Sequence, residues 1–181
     1  AYARRRLDLS DSCRVVDEQW DNLLILDACR YDHFEEIVDL SGDLRAVESL
    51  GSCTPEFLER NFGDADHHDI VYVSANPLIS VLEKQTFHAV YPLFRDGWDD
   101  DLGTVTPGTV RQAAESALKT HPDKRLIVHF MQPHAPFIGP AGTPITHGLE
   151  GFSTDQHVHP GRRERSVWTN LQYNLIDTDL E

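Results

Sequence analysis

Apolar residues along this chain come in short blocks between charged and turn-forming stretches, and the spacing inside each block predicts its element. Leu23, Leu24, Ile25 and Leu26 form an unbroken aliphatic run. That run is too short for a buried helix and suits a strand covered on both faces, as in the middle of a parallel sheet. Residues 69–75, 87–93 and 125–131 are rich in β-branched and aromatic side chains and predict three further strands. A weaker alternation over 44–49 predicts another.

Helical spacing fills the intervals. Tyr31, Phe34, Ile37 and Val38 predict a helix over about 29–40 that stops near Gly42. Thr54-Pro55-Glu56 reads as a helix start, with Thr54 as N-cap, a proline in the first turn and Phe57, Leu58 and Phe62 turned inward. Gly51 allows a tight turn before it, and Gly63 ends it. Asn76-Pro77 opens a helix to about Lys84. Thr106-Pro107 opens another, striped by Val110, Ala113, Ala114, Ala117 and Leu118. Trp168, Leu171, Leu175 and Ile176 carry the same spacing near the end. Residues 1–20 read as an arm with a short helix, and 133–165, rich in Pro, Gly and His, as a long irregular segment. Strands alternating with helices predict an α/β domain over 21–181, with a mostly parallel sheet and helices on both faces.

Composition narrows the partners. Asp plus Glu number 30 against 16 Lys plus Arg, a formal charge of −14. Nucleic-acid binders need a basic surface, so a nucleic-acid partner is excluded. An acidic surface carrying few lysines over a normal apolar fraction reads as adaptation to high salt, which screens the self-repulsion. Cys13, Cys29 and Cys53 give neither a disulfide framework nor zinc spacing. No apolar run reaches the roughly 20 residues of a membrane span, and Asp8 and Asp11 stand where a signal peptide would be apolar. These features predict a soluble, cytoplasmic protein.

Three turns carry chemistry. Asp27 ends the first strand, where open α/β sheets place ligands, although it is equally suited to capping the next helix. The turn Gly51-Ser52-Cys53-Thr54-Pro55 opens a helix whose free N–H groups suit a sulfate or phosphate, with a hydroxyl or thiol placed as a nucleophile. Plain capping is the competing reading. Gln132-Pro133-His134-Ala135-Pro136 holds an imidazole in a rigid turn, suited to contact an anion or protonate a leaving group. In a parallel sheet all three emerge on one edge, with room for a divalent cation held by Asp27. Elsewhere His67-His68 reads as a loop before a strand. His157-x-His159 and Asp99-Asp100-Asp101 read as solvated surface, the latter lacking a calcium-loop pattern. A nucleotide-binding Rossmann domain is disfavoured because no Gly-x-Gly-x-x-Gly follows the first strand.

Residues 25–32 (Ile-Leu-Asp-Ala-Cys-Arg-Tyr-Asp), 51–57 (Gly-Ser-Cys-Thr-Pro-Glu-Phe) and 129–137 (His-Phe-Met-Gln-Pro-His-Ala-Pro-Phe) together resemble the sulfatase-like branch of the alkaline phosphatase superfamily, haloarchaeal members most of all. The resemblance covers the chain from about Trp20. It implies a three-layer α/β/α sandwich and metal-dependent hydrolysis or transfer of sulfate or phosphate esters. Asp27 is then the ligand of a divalent ion (Ca, Mg, Mn or Zn), and His134 and Arg30 contact the anionic substrate. Cys53 matches the cysteine that becomes formylglycine in sulfatases, but the arginine expected two residues past the proline is Phe57 here. Phosphate-transferring relatives use Ser or Thr, which keeps Ser52 and Thr54 beside Cys53 as nucleophile candidates, in the order Cys53, Ser52, Thr54. The family's later Asp-His metal ligands have no counterpart before Glu181, so the chain reads as the N-terminal part of the family domain or a shortened member. The alternative is a non-catalytic relative that binds an anion or a partner protein.

Overall fold

The structure is a computed structural model that describes residues 13–82 and 86–138. The arm before residue 13, the segment from 139 to 165 with its His157-x-His159 pair, and the helix expected from Trp168 lie outside the described residues. Four parallel strands form the central sheet: β1 (Asn22–Leu26), β2 (His67–Ser74), β3 (Phe87–Pro92) and β6 (Arg125–Phe130), in the order β1-β6-β2-β3. Helices α1 (Tyr31–Ile37) and α2 (Thr54–Phe62) lie between β1 and β2 along the chain, and α3 (Pro107–Thr120) leads into β6. A two-strand antiparallel ribbon, β4 (Trp98–Asp99) with β5 (Thr104–Val105), flanks the acidic Asp99-Asp100-Asp101 stretch. This is an α/β fold with a mostly parallel sheet.

Each face of the sheet packs its own core. On one face Leu58 and Phe62 of α2 join Ile70, Tyr72, Phe87 and Ile127. Val71, Val73, Leu126 and Val128 meet Val110 and Ala117 of α3 on the other. The alternation follows from the period-two direction of side chains along β2 and β6. Val16, within a short 3-10 turn (Val15–Asp17), is buried in the first cluster, and Val15 and Trp20 pack against that cluster.

Several expectations change. β1 stands at the sheet edge among the described residues, not in its middle, and Leu24 is 60% exposed. Its long aliphatic run reports strand propensity but not sheet order, which depends on contacts far apart in sequence. The first helix is shorter than its periodicity, and Leu40, Leu44 and Val47 are exposed beyond it. Residues 44–49 form no strand beyond an isolated bridge at Glu48. Asn76-Pro77 opens a 3-10 helix, Pro77–Val81, not an α-helix. His67 and His68 open β2 instead of preceding it, and the His67 ring stacks on Phe87 with centroids 6.1 Å apart.

Beneath the carboxyl edge lies one buried polar pair. Tyr72 and His129, each no more than 1% exposed, face each other across neighbouring strands with the Tyr72 hydroxyl 2.9 Å from His129 Nδ1. Burial lowers the imidazole to about 4, opposed in part by the Asp27 charge. A neutral imidazole accepts the phenol proton at Nδ1, and burial with the Asp27 charge pushes the phenol upward. The unfolded chain binds a proton as pH falls through about 6.5, whereas the folded chain resists until about 4. Stability is therefore fully present above pH 6.5 and drains as pH falls towards 4, by roughly 3 kcal/mol in all. Urea unfolding between pH 7.5 and 4.5 should show that loss. His129→Gln should flatten most of the slope, leaving the contribution of His67, which burial also lowers.

Candidate functional site

The carboxyl ends of β1, β6 and β2 share one edge because the strands are parallel and in register. Asp27 follows β1 directly, and its backbone N–H donates to Phe130 O of β6 at 3.3 Å. Ala28 has φ 61°, a left-handed conformation uncommon for a residue with a Cβ. The turn is closed by Cys29 N–H donating to Leu26 O at 3.2 Å. That reversal leaves the Asp27 carboxylate on the edge and sends the chain away into α1. Conformations of this kind cost about 1–2 kcal/mol and cluster at functional sites.

The Asp27 carboxylate accepts from two other elements. Asn76 Nδ2 donates to Oδ2 at 2.7 Å, and Thr54 Oγ1 donates to Oδ1 at 3.4 Å. Asn76 is 3% exposed and uses its other amide atom to cap the 3-10 helix, Oδ1 accepting from Leu78 N at 2.9 Å. Ser74 Oγ steadies the same bend by accepting from Asn76 N and donating to Asn76 O. Asp27 is not a helix cap: the cap of α1 is Arg30.

The turn before α2 is arranged differently from its sequence reading. Cys53 holds the cap position with extended backbone and makes no side-chain cap bond, and Thr54 is the first helical residue. The hydroxyl that should close the cap is thereby released towards Asp27. Glu56 Oε2 reaches back to the preceding turn, accepting from Ser52 N at 2.8 Å and Ser52 Oγ at 2.9 Å. Those two bonds hold the Glu56 carboxyl below its usual range, with Arg60 assisting. Cys53 is exposed, and no hydrogen bond joins Ser52 or Cys53 to Asp27 among the described residues. Cys29 sits beside the site as an unreactive thiol, pushed up to about 11 by burial and by Asp32.

Arg30 and His134 each make hydrogen bonds within their own turns. Arg30 holds Asp32 in a bidentate pair, Nε to Oδ1 at 2.9 Å and a terminal nitrogen to Oδ2 at 2.7 Å, and keeps that carboxyl near 2. His134 is exposed, with its N–H on Met131 O and ring Nδ1 2.6 Å from Ala135 O. Gln132 anchors this turn by donating to Val105 O at 3.3 Å and Thr104 Oγ1 at 3.4 Å. Asp99 is tied down locally, accepting from Leu102 N at 2.9 Å.

The donors on this edge do not by themselves fit a divalent cation. Hard cations take several oxygen ligands, usually with more than one carboxylate. Asp27 is a single carboxylate already accepting an amide and a hydroxyl, and Asn76 turns its nitrogen towards it. No group of three or more His, Cys, Asp or Glu suited to a metal occurs among the described residues. No helix among them is long and apolar enough to cross a membrane.

No protein-family model, no curated protein and no solved structure matches the chain. The site therefore stands on its own geometry.

Asn76 is the residue that sequence reading missed as part of the site. Asn-Pro before a helix signals a cap, and the cap is real, but an asparagine has a second polar atom to spend elsewhere. Asn76→Ala removes the cap and leaves the Asp27 carboxylate short of a buried donor. It should cost about 1–3 kcal/mol, read from urea midpoints. Gly51 fixes the other side of the site: a Cβ there would lie 2.3 Å from Phe57 N and 2.6 Å from Phe57 Cα, both backbone atoms. Gly51→Ala must displace the turn from α2 and should destabilise by about 1–3 kcal/mol, with the same midpoint as readout.

Proposed function

We propose that this chain is a sulfatase-like ester hydrolase domain, built on a three-layer α/β/α plan of alkaline phosphatase type, that acts on a phosphate or sulfate ester. The observation that carries the reading is the Thr54 hydroxyl on the Asp27 carboxylate at the first turn of α2. Among Cys53, Ser52 and Thr54, this contact favours Thr54 as nucleophile, as in the phosphate-transferring members the sequence resembles. Ser52 is engaged with Glu56, and among the described residues Cys53 has no partner that would activate it. A thiol-derived formylglycine is correspondingly disfavoured by Phe57.

The chain's own groups suit the first step. Asp27 accepts the Thr54 proton as Oγ1 bonds to phosphorus or sulfur, and the bond to the ester oxygen breaks. The departing alkoxide takes a proton from water or from His134, and water then releases the anion from Thr54. Free N–H groups and the positive dipole end of α2 stabilise the oxyanion, which matters in a chain of net charge −14. The divalent cation expected from the resemblance would offset charge on the ester oxygens, but it takes no part in these steps. Its remaining ligands would have to come from outside the described residues.

Turnover of p-nitrophenyl phosphate and p-nitrophenyl sulfate, with each divalent ion in turn, tests the reading. Asp27→Ala and Thr54→Ala should each lower kcat/KM by at least about a hundredfold, while Cys53→Ala stays within threefold of the parent. No turnover with either ester and any ion would leave the second reading, a non-catalytic relative that binds an anion. That reading is favoured by the single carboxylate of the site, and binding of inorganic phosphate or sulfate lost on Thr54→Ala would support it.

A further inference from the structure

A second group of chemistry-bearing side chains lies at the amino edge of the sheet, opposite Asp27. His88 is the second residue of β3, and His121 follows α3 directly, shortly before β6. Their rings meet edge to face with centroids 5.1 Å apart. Tyr91, also on β3, places its hydroxyl 3.0 Å from His121 Nε2.

β3 changes face where His88 stands. Phe87 packs in the α2-side core, whereas Ala89 and Tyr91 pack against the α3-side core. Residues two apart on a regular strand share a face. The pairing of β2 with β3 is correspondingly irregular between His67↔Phe87 and Val71↔Ala89. Irregularities of this kind re-aim side chains, and the residue inside the step is His88. His121 is fixed from its backbone: its N–H donates to Ala117 O at 2.9 Å, and its carbonyl accepts from Lys124 N at 3.1 Å.

We infer that His88 and His121 form a two-imidazole site for a borderline divalent ion, Zn2+ or Cu2+, joining the start of β3 to the end of α3. Imidazole suits such ions. Metal–nitrogen bonds of about 2.0–2.1 Å set the centroids of two rings on one tetrahedral ion roughly 5 Å apart, which is the separation found. A hydrogen bond at one ring nitrogen decides which nitrogen is left to bind a metal. With the Tyr91 oxygen accepting from Nε2–H, His121 Nδ1 keeps its lone pair. His88 is exposed, and its ring nitrogens make no hydrogen bond among the described residues, so an ion can enter from solvent. Lys124, 3.1 Å from Asp123, holds that carboxyl below its usual range, and the His88 charge adds to the effect, so a carboxylate stands near the pair. Net charge of −14 further raises the cation concentration at the surface. Two protein donors leave the other coordination positions to water.

The full chain is titrated with Zn2+ to about 1 mM, where mass action fills even a weak site, and the ring nitrogens of each histidine are followed by NMR. The proposal expects the His88 and His121 signals to move on one common curve, independent of protein concentration. Each imidazole raises the effective concentration of the ion at the other. His88→Ala should therefore weaken binding at His121 at least about tenfold, and His121→Ala should do the same at His88. No movement of either signal, separate curves more than about threefold apart, or a change within twofold in His88→Ala overturns the proposal. A curve that shifts with protein concentration also overturns it, since the ion then bridges two copies. If His121→Ala disturbs the end of α3, His88→Ala decides alone, because that side chain is exposed.

Discussion

One residue, Asp27, ties four elements to a common edge. Asp27 ends β1, takes the Asn76 amide from the end of β2 and the Thr54 hydroxyl from the start of α2, and donates its own N–H to β6. Buried or half-buried, such a group is stable only while its partners remain, since an unpaired carboxylate away from water is costly. The structure therefore keeps Asn76 and Thr54 in place as much for the sake of the fold as for any chemistry. The left-handed Ala28 fits the same account: the chain tolerates local strain there because turning sharply after Asp27 leaves the carboxylate where the other elements can reach it.

How much of this could be read beforehand depended on the range of the interaction. Strands β2, β3 and β6 and the Thr106-Pro107 start of α3 are local patterns, and they stand where the pattern put them, with Thr106 Oγ1 accepting from Thr109 N. The order of strands is not local. Nothing in Leu23–Leu26 distinguishes an edge from a centre, and the notion of a strand covered on both faces failed there. Thr54 is instructive because one residue of shift at a helix start exchanges a capping role for a contact across the site. Asn76 escaped notice because its capping signal was sufficient to explain it. The meeting of Asp27 with the turn at 52–55 followed from the parallel arrangement alone, whereas His134 follows β6 and its ring contacts Ala135 O.

The cations near the edge are already engaged: Arg30 with Asp32 and Arg60 with Glu56. An anion approaching Thr54 would find helix N–H groups more readily than a spare guanidinium. Exposed pairs of this kind add little stability individually, and high salt would weaken both them and the general repulsion among the acids.

The two cores differ in character. On the α2 side, Phe62 meets His67, Tyr72 and Phe87 edge to face with centroids 5.5 to 6.0 Å apart, and Tyr72 continues the contact to His129. Rings locked at fixed angles have few alternative arrangements of equal energy, whereas the valines and alanines under α3 are small and can be exchanged or repacked with modest loss. The protein should thus drift in sequence asymmetrically over time: the aliphatic layer is the one free to vary, while the aromatic layer, which supports the floor of Asp27, is held nearly constant by its own geometry.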